Sequence, residues 1–188
     1  MKKQLLYITY TVALLISHLT TNAQTTFNIR LTDPNTDEVV NDALELQDDS
    51  FILACTQLSP APFKGHLVKL NKSGQLIRDT IYDFQNQYSG ILSILQTSPN
   101  NFLIVGYTAN ESNLFEIWLF HTDSTFKKID EKVISLDTNS VNSFTCEIQQ
   151  SGNILLTGIL QNPRQWVYPF IFELSSTFDS IQPRLCSQ

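Results

Sequence analysis

An all-β fold made of three successive four-stranded antiparallel units is predicted for residues 39–188. Three observations predict it: apolar segments recur every 51 or 52 residues, each repeat breaks into four short strand-like runs separated by turn residues, and no helical periodicity appears after residue 23.

The chain opens with a segment that belongs to targeting and lies outside the fold. Met1-Lys2-Lys3 is a positive start, Leu5 to Ile16 an apolar run, and Thr21-Asn22-Ala23 a small-residue cleavage site, so residues 1–23 read as a secretory signal peptide. The apolar run is broken by Thr9, Thr11, Ser17 and His18 and falls short of the roughly 20 residues a membrane anchor needs. No Cys follows it closely, which argues against a lipid-modified N-terminus. Export to the periplasm or the cell exterior is therefore expected. No later stretch is apolar for long enough to span a membrane as a helix. Of the 12 Lys and Arg residues, Lys2 and Lys3 leave with the signal, and 10 remain against 18 Asp and Glu, a net charge near −8. That balance argues against nucleic acid and anionic lipid as partners, since both demand a basic face.

Residues 24–38 form an N-terminal strand and linker, in which Phe27-Asn28-Ile29-Arg30-Leu31 alternates as a lone strand. Asp33-Pro34-Asn35-Thr36-Asp37-Glu38 places oxygen side chains at alternate positions as calcium loops do. It lacks the sixth-place Gly, and Leu44 stands where the twelfth-place Glu would be, so a solvated turn after Pro34 is the better reading.

The repeat then begins. Phe51-Ile52-Leu53-Ala54-Cys55, Phe102-Leu103-Ile104-Val105-Gly106 and Ile154-Leu155-Leu156-Thr157-Gly158 are separated by 51 and 52 residues. The series starting at Ile77, Ile129 and Ile181 is separated by 52 and 52, as are His66-Leu67-Val68-Lys69, Trp118-Leu119-Phe120-His121 and Phe170-Ile171-Phe172-Glu173. Strands are expected near 39–46, 51–56, 66–70 and 76–81, near 89–95, 102–108, 116–121 and 127–133, and near 141–148, 154–160, 169–174 and 178–182. Asp48-Asp49-Ser50, Asn71-Lys72-Ser73-Gly74 and Ser151-Gly152-Asn153 are among the turns between them. The second strand of each unit is apolar throughout, as for a strand covered on both faces. Together these features predict a propeller-like array of about three blades, near 39–83, 88–134 and 141–185, with the ring incomplete. A β-sandwich would not require so regular a repeat.

Gly152-Asn153-Ile154-Leu155-Leu156-Thr157-Gly158, answered by Asn101 to Tyr107 and followed by strands such as Leu67 to Gly74, resembles the blades of exported β-propeller repeat proteins of the Bacteroidetes type. The signal ending Asn22-Ala23-Gln24 is similar to theirs. The resemblance covers about 39–185, and it implies a scaffold and names no activity. Relatives of that type continue into more blades and a C-terminal sorting domain, which this sequence does not show; a truncated frame, a fragment, or a module that self-associates through open blade edges is the expectation.

No catalytic motif is found: neither G-x-S-x-G, a phosphate loop, a dinucleotide motif nor the sialidase-type signature is present. Asp48-Asp49 and Asp130-Glu131 are adjacent, and neighbours on a strand face opposite ways. Cys55, Cys146 and Cys186 allow one disulfide at most. Two sit in apolar strands and read as small buried hydrophobes, and with His66 and His121 the only histidines after the signal, no metal or cofactor is expected. Strand direction puts segments 57–65, 109–115 and 161–168 on one side with the links 82–88 and 134–140, and these are expected to be the long loops. On that side Phe63, Lys64, Phe84, Tyr88, Arg164, Trp166 and Tyr168, with Asp83, are the candidate binding residues. Aromatic groups beside a cation suit carbohydrate or protein contact. The sequence thus predicts a non-catalytic binding or structural module, the alternative being a piece of a secreted propeller hydrolase acting on polysaccharide.

Overall fold

The computed structural model describes residues 36–136 and 139–185, with backbone alone for 180–185. The signal segment, the lone strand at 27–31, residues 33–35 of the 33–38 turn and Cys186 lie outside the described residues.

Twelve strands form three four-stranded antiparallel sheets, each a meander in sequence order. Sheet 1 is β1 (Glu38–Glu45), β2 (Phe51–Gln57), β3 (Lys64–Leu70) and β4 (Leu76–Tyr82). Sheet 2 is β5 (Ser89–Ser98), β6 (Asn101–Ala109), β7 (Phe115–Asp123) and β8 (Lys128–Ile134). Sheet 3 is β9 (Ser140–Ile148), β10 (Ile154–Gln161), β11 (Val167–Leu174) and β12 (Ser180–Leu185). The chain is all-β, and its sheets stand side by side as blades without closing a ring.

The period of 52 places equivalent side chains at equivalent strand positions. Ile52, Ala54 and Leu67 of sheet 1 pack against Trp118, Phe120 and Phe126 of sheet 2. In the same way Leu103, Val105 and Leu119 of sheet 2 pack against Phe170, Phe172 and Phe178 of sheet 3. Aliphatic residues thus face the following sheet and aromatic residues face the preceding one. Because successive side chains alternate faces, β6 is buried on both, from Phe102 to Val105. In β10 the alternation is one-sided: Ile154 and Leu156 are buried, while Leu155 and Thr157 are half-buried and Ile159 is exposed. Among the described residues no sheet covers that second face. The far face of sheet 1 carries a smaller cluster of Cys55, Val68 and Leu70 with half-buried Leu53.

One hairpin turn recurs and is closed by a side chain. In 71–75, Asn71 Oδ1 accepts from the backbone N–H of Ser73 and Gln75, both at 2.9 Å. Asp123 Oδ1 does the same for Thr125 and Lys127, and Ser175 Oγ for Thr177 and Asp179. The fourth residue of each turn is left-handed: Gly74 at φ 75°, Phe126 and Phe178 at φ 65°. A non-glycine residue there costs about 1–3 kcal/mol. Burying a Phe ring contributes about 1.5–3 kcal/mol, which offsets the cost, and both rings are buried in the interface with the preceding sheet. Phe126 is also held from sheet 1, by Tyr82 Oη donating to its carbonyl at 2.6 Å and Arg78 donating to Thr125 O at 2.8 Å. Lys132 Nζ donates to Phe178 O at 2.7 Å and so holds the next turn from sheet 2.

One expectation is corrected here. Segments 110–114 and 162–166 are the same five-residue turn, capped by Asn110 and Asn162, and are as short as the 71–75 and 175–179 turns at the opposite end. The reason is local: an Asn oxygen satisfies two backbone donors and closes the hairpin. Ile77 and Ile129, which head the last repeated segment of their units, are exposed on the edge strands, and each is the extra residue of a bulge against β3 and β7.

Candidate functional site

The first strand of every sheet carries a bulge in its first half, with Asn41, Leu92 and Asn142 as the unpaired extra residues, the β9 bulge lying two residues further along its partner strand than the other two. Beside it the neighbouring second strand comes so close that a side chain has no room. A Cβ on Gly106 would stand 2.0 Å from Gly90 O, and one on Gly158 2.2 Å from Ser143 O. The bulges re-aim the first strands at the end where β2–β3, β6–β7 and β10–β11 turn.

There the three sheets share an open depression of about 270 Å³. Phe63 lines it from sheet 1, Leu92, Tyr107 and Phe115 from sheet 2, and Val141, Asn142 and Phe144 from sheet 3. Hydrogen bonds between sheets fix its rim: Ser89 N donates to Phe63 O at 2.9 Å and Phe115 N to Ser140 Oγ at 3.0 Å. Tyr107 and Phe115 meet edge to face with centroids 5.0 Å apart. The Tyr107 ring lies across Gly90, whose missing Cβ would stand 2.7 Å from it and 2.6 Å from Thr56 Oγ1 of sheet 1. Burial pushes the Tyr107 phenol above its ordinary pKa, against a smaller opposing effect of Thr56. Thr56 in turn accepts from Asn41 Nδ2 at 3.0 Å and donates to Ile91 O at 3.3 Å. Beside this network, Asp42 Oδ2 accepts from Ser93 Oγ at 2.8 Å and Ile94 N at 3.0 Å. The Tyr107 wall therefore rests on a polar network between the two sheets.

The structure distributes the residues singled out from the sequence over three settings. Phe63 lines the depression, with the exposed Tyr88 ring edge-on to it at 5.0 Å. Lys64 pairs with Asp83 at 2.9 Å, and that contact, aided by Asn86 N–H, holds the Asp83 carboxyl below its ordinary pKa. Phe84 is half-buried and turned toward the core against Trp118, at 5.6 Å. Arg164, Trp166 and Tyr168 sit on the β10–β11 hairpin, where Asn162 accepts from the backbone of Arg164 and Trp166 and donates to Tyr168 Oη at 3.1 Å. Among the described residues no hydrogen bond, ion pair or ring contact joins this trio to the Phe63 group. Leu92, Tyr107, Phe115, Val141, Asn142 and Phe144 were not legible as site residues.

Two acids near this end are engaged elsewhere. Glu116 accepts from Asn110 Nδ2 at 3.1 Å, and Glu38 is hydrogen-bonded to His66 at 2.7 Å. His66 also reaches Asp79 at 3.2 Å. Cys55 and Cys146 are buried free thiols, and desolvation pushes both up to about 12, which makes them poor nucleophiles. Among the described residues no group of three or more His, Cys, Asp or Glu is placed to hold a metal ion. No protein-family model matches the chain, and no curated protein is similar to it.

Proposed function

We propose that the chain is an exported, non-catalytic binding module of propeller type, related to the β-propeller repeat proteins of the Bacteroidetes type, and that it works in the periplasm or at the cell exterior. The carrying observation is the depression shared by three sheets: an aromatic-walled hollow on a rigid β scaffold, with a single side-chain amide at its mouth and no carboxylate in its lining. Three neighbouring acids support this reading, since Asp83, Glu116 and Glu38 each have a partner. Export rests on the leader at 1–23, and the acidic balance suits a soluble surface.

The test is expression of the full chain in a Gram-negative host, followed by fractionation, intact mass and activity assay. A mass corresponding to cleavage after Ala23 in the periplasm or medium is expected, with no hydrolysis of a panel of polysaccharides. An intact leader in the cytoplasm overturns export, and sugar release above a heat-treated control overturns the non-catalytic reading.

A further inference from the structure

The chemistry of the depression narrows what it can hold, and the argument rests on reading the chain as a binding module. Four of its seven lining residues are aromatic and two are aliphatic, so the wall rewards an apolar guest. At about 270 Å³ it lies below the roughly 300–1,000 Å³ of drug-sized sites and suits one ring system. The Tyr107–Phe115 edge-to-face pair offers a ring face and a ring edge, the arrangement a further aromatic ring can extend.

Polar chemistry in the hollow is sparse. The Tyr107 ring is packed over Gly90 beside Thr56, turned toward sheet 1. Asn142, the exposed bulge residue of β9, makes no side-chain hydrogen bond among the described residues, and its amide can both donate and accept. A pyranose would bring several hydroxyls, and each one buried without a partner costs about 1–3 kcal/mol. A charged guest would fare worse, with no opposite charge in the lining to receive it.

We infer that the depression is a site for one aromatic ring bearing a single hydrogen-bonding edge, a phenol or an indole, whose edge meets the Asn142 amide while its ring packs between Phe63, Phe115 and Phe144. The ring can arrive as a free small molecule or as a Tyr or Trp side chain of a polypeptide. The inference concerns this hollow alone; Trp166 and Tyr168 stand on a separate hairpin.

The experiment titrates p-cresol, indole, toluene, methyl glucoside and N-acetyl-Gly-Tyr-Gly-amide into the isotope-labelled exported chain, following backbone and side-chain amides by NMR. p-Cresol and indole should bind at millimolar concentration or tighter and shift the Leu92 and Asn142 amides, with methyl glucoside neither binding there nor competing. Asn142→Leu, at an exposed position, should weaken p-cresol about fivefold and leave toluene unchanged. Asn142→Trp, which fills the mouth, should abolish ring binding while the rest of the spectrum is retained. A peptide affinity at least tenfold above that of p-cresol assigns the ring to a polypeptide; comparable affinities assign it to a free compound. Shifts confined to residues elsewhere, equal p-cresol affinity in Asn142→Leu, or competition by methyl glucoside would each overturn the site or its ligand class while leaving the binding-module reading in place. Polysaccharide hydrolysis would overturn that reading whatever the ring probes do.

Discussion

The face that sheet 1 turns away from sheet 2 and the faces by which sheets 2 and 3 meet their predecessors hold equivalent positions and different side chains. Sheets 2 and 3 present Trp118, Phe120 and Phe126, and Phe170, Phe172 and Phe178. Sheet 1 presents His66, Val68 and Gly74 at the same three places. The aromatic trio is what seats one blade on another: Trp118 and Phe120 are fully buried, tilted at 4.5 Å, and Lys128 lies over both rings. Where the trio is missing, polar pairing takes its place. His66, nearly buried, bridges Glu38 of β1 and Asp79 of β4, tying three strands of one sheet together. The first face is built to stabilise its own sheet, the others to receive a neighbour.

That contrast can be broken experimentally. The largest expected loss is from Phe120→Ala, about 4 kcal/mol in urea unfolding, while Val68→Ala at the matching place costs about 2 kcal/mol. Equal losses would mean that the two faces are packed alike. Phe126→Gly trades a lost buried ring for relief of a left-handed backbone, and about 3 kcal/mol of destabilisation is expected, less than for Phe120→Ala. A variant as stable as the parent would show that the ring is not seated. His66→Leu should cost about 2 kcal/mol by leaving the nearly buried Glu38 carboxylate without its partner, and Glu38→Leu added to it should recover at least half. His121→Leu, whose carboxylate partner Asp130 is half exposed, should cost less than His66→Leu in the same assay.

The smallest effect concerns the turns. The Thr125 hydroxyl and the Lys127 and Thr125 N–H groups hold the Asp123 carboxyl below its ordinary value of 3.8. Its folded pKa being depressed, the contribution is present above the unfolded value and is lost as pH falls through the folded one. Asp123→Asn reproduces the Asn71 turn, and should lower the melting temperature slightly at neutral pH while flattening its fall below pH ~4. An unchanged acid limb would show that this carboxylate does not matter to the turn.

The period of 52 made the strands legible, because it repeats both the apolar runs and the turn residues. Expected strands near 102–108 and 154–160 lie within β6 and β10, and the others overlap their counterparts. Less was visible where one extra residue changes the outcome. The bulges at Leu92 and Asn142 carry no composition signal. Loop length misled as well, since Asn110 and Asn162 shorten hairpins that seemed open in sequence. Phe63 was singled out from the sequence and lines the hollow, whereas the rest of its lining is drawn from β5, β6, β7 and β9 and comes together only once the sheets are docked.

The hairpin closed by a single side-chain oxygen has a consequence for how such a surface can vary. Asn71, Asn110, Asp123, Asn162 and Ser175 fill the same place, so an amide, a carboxylate and a hydroxyl each serve as the acceptor. Backbone shape at these five corners is therefore indifferent to charge. Mutation can add or remove negative charge at both ends of the array one corner at a time, tuning long-range electrostatics without disturbing the blades that hold the aromatic hollow.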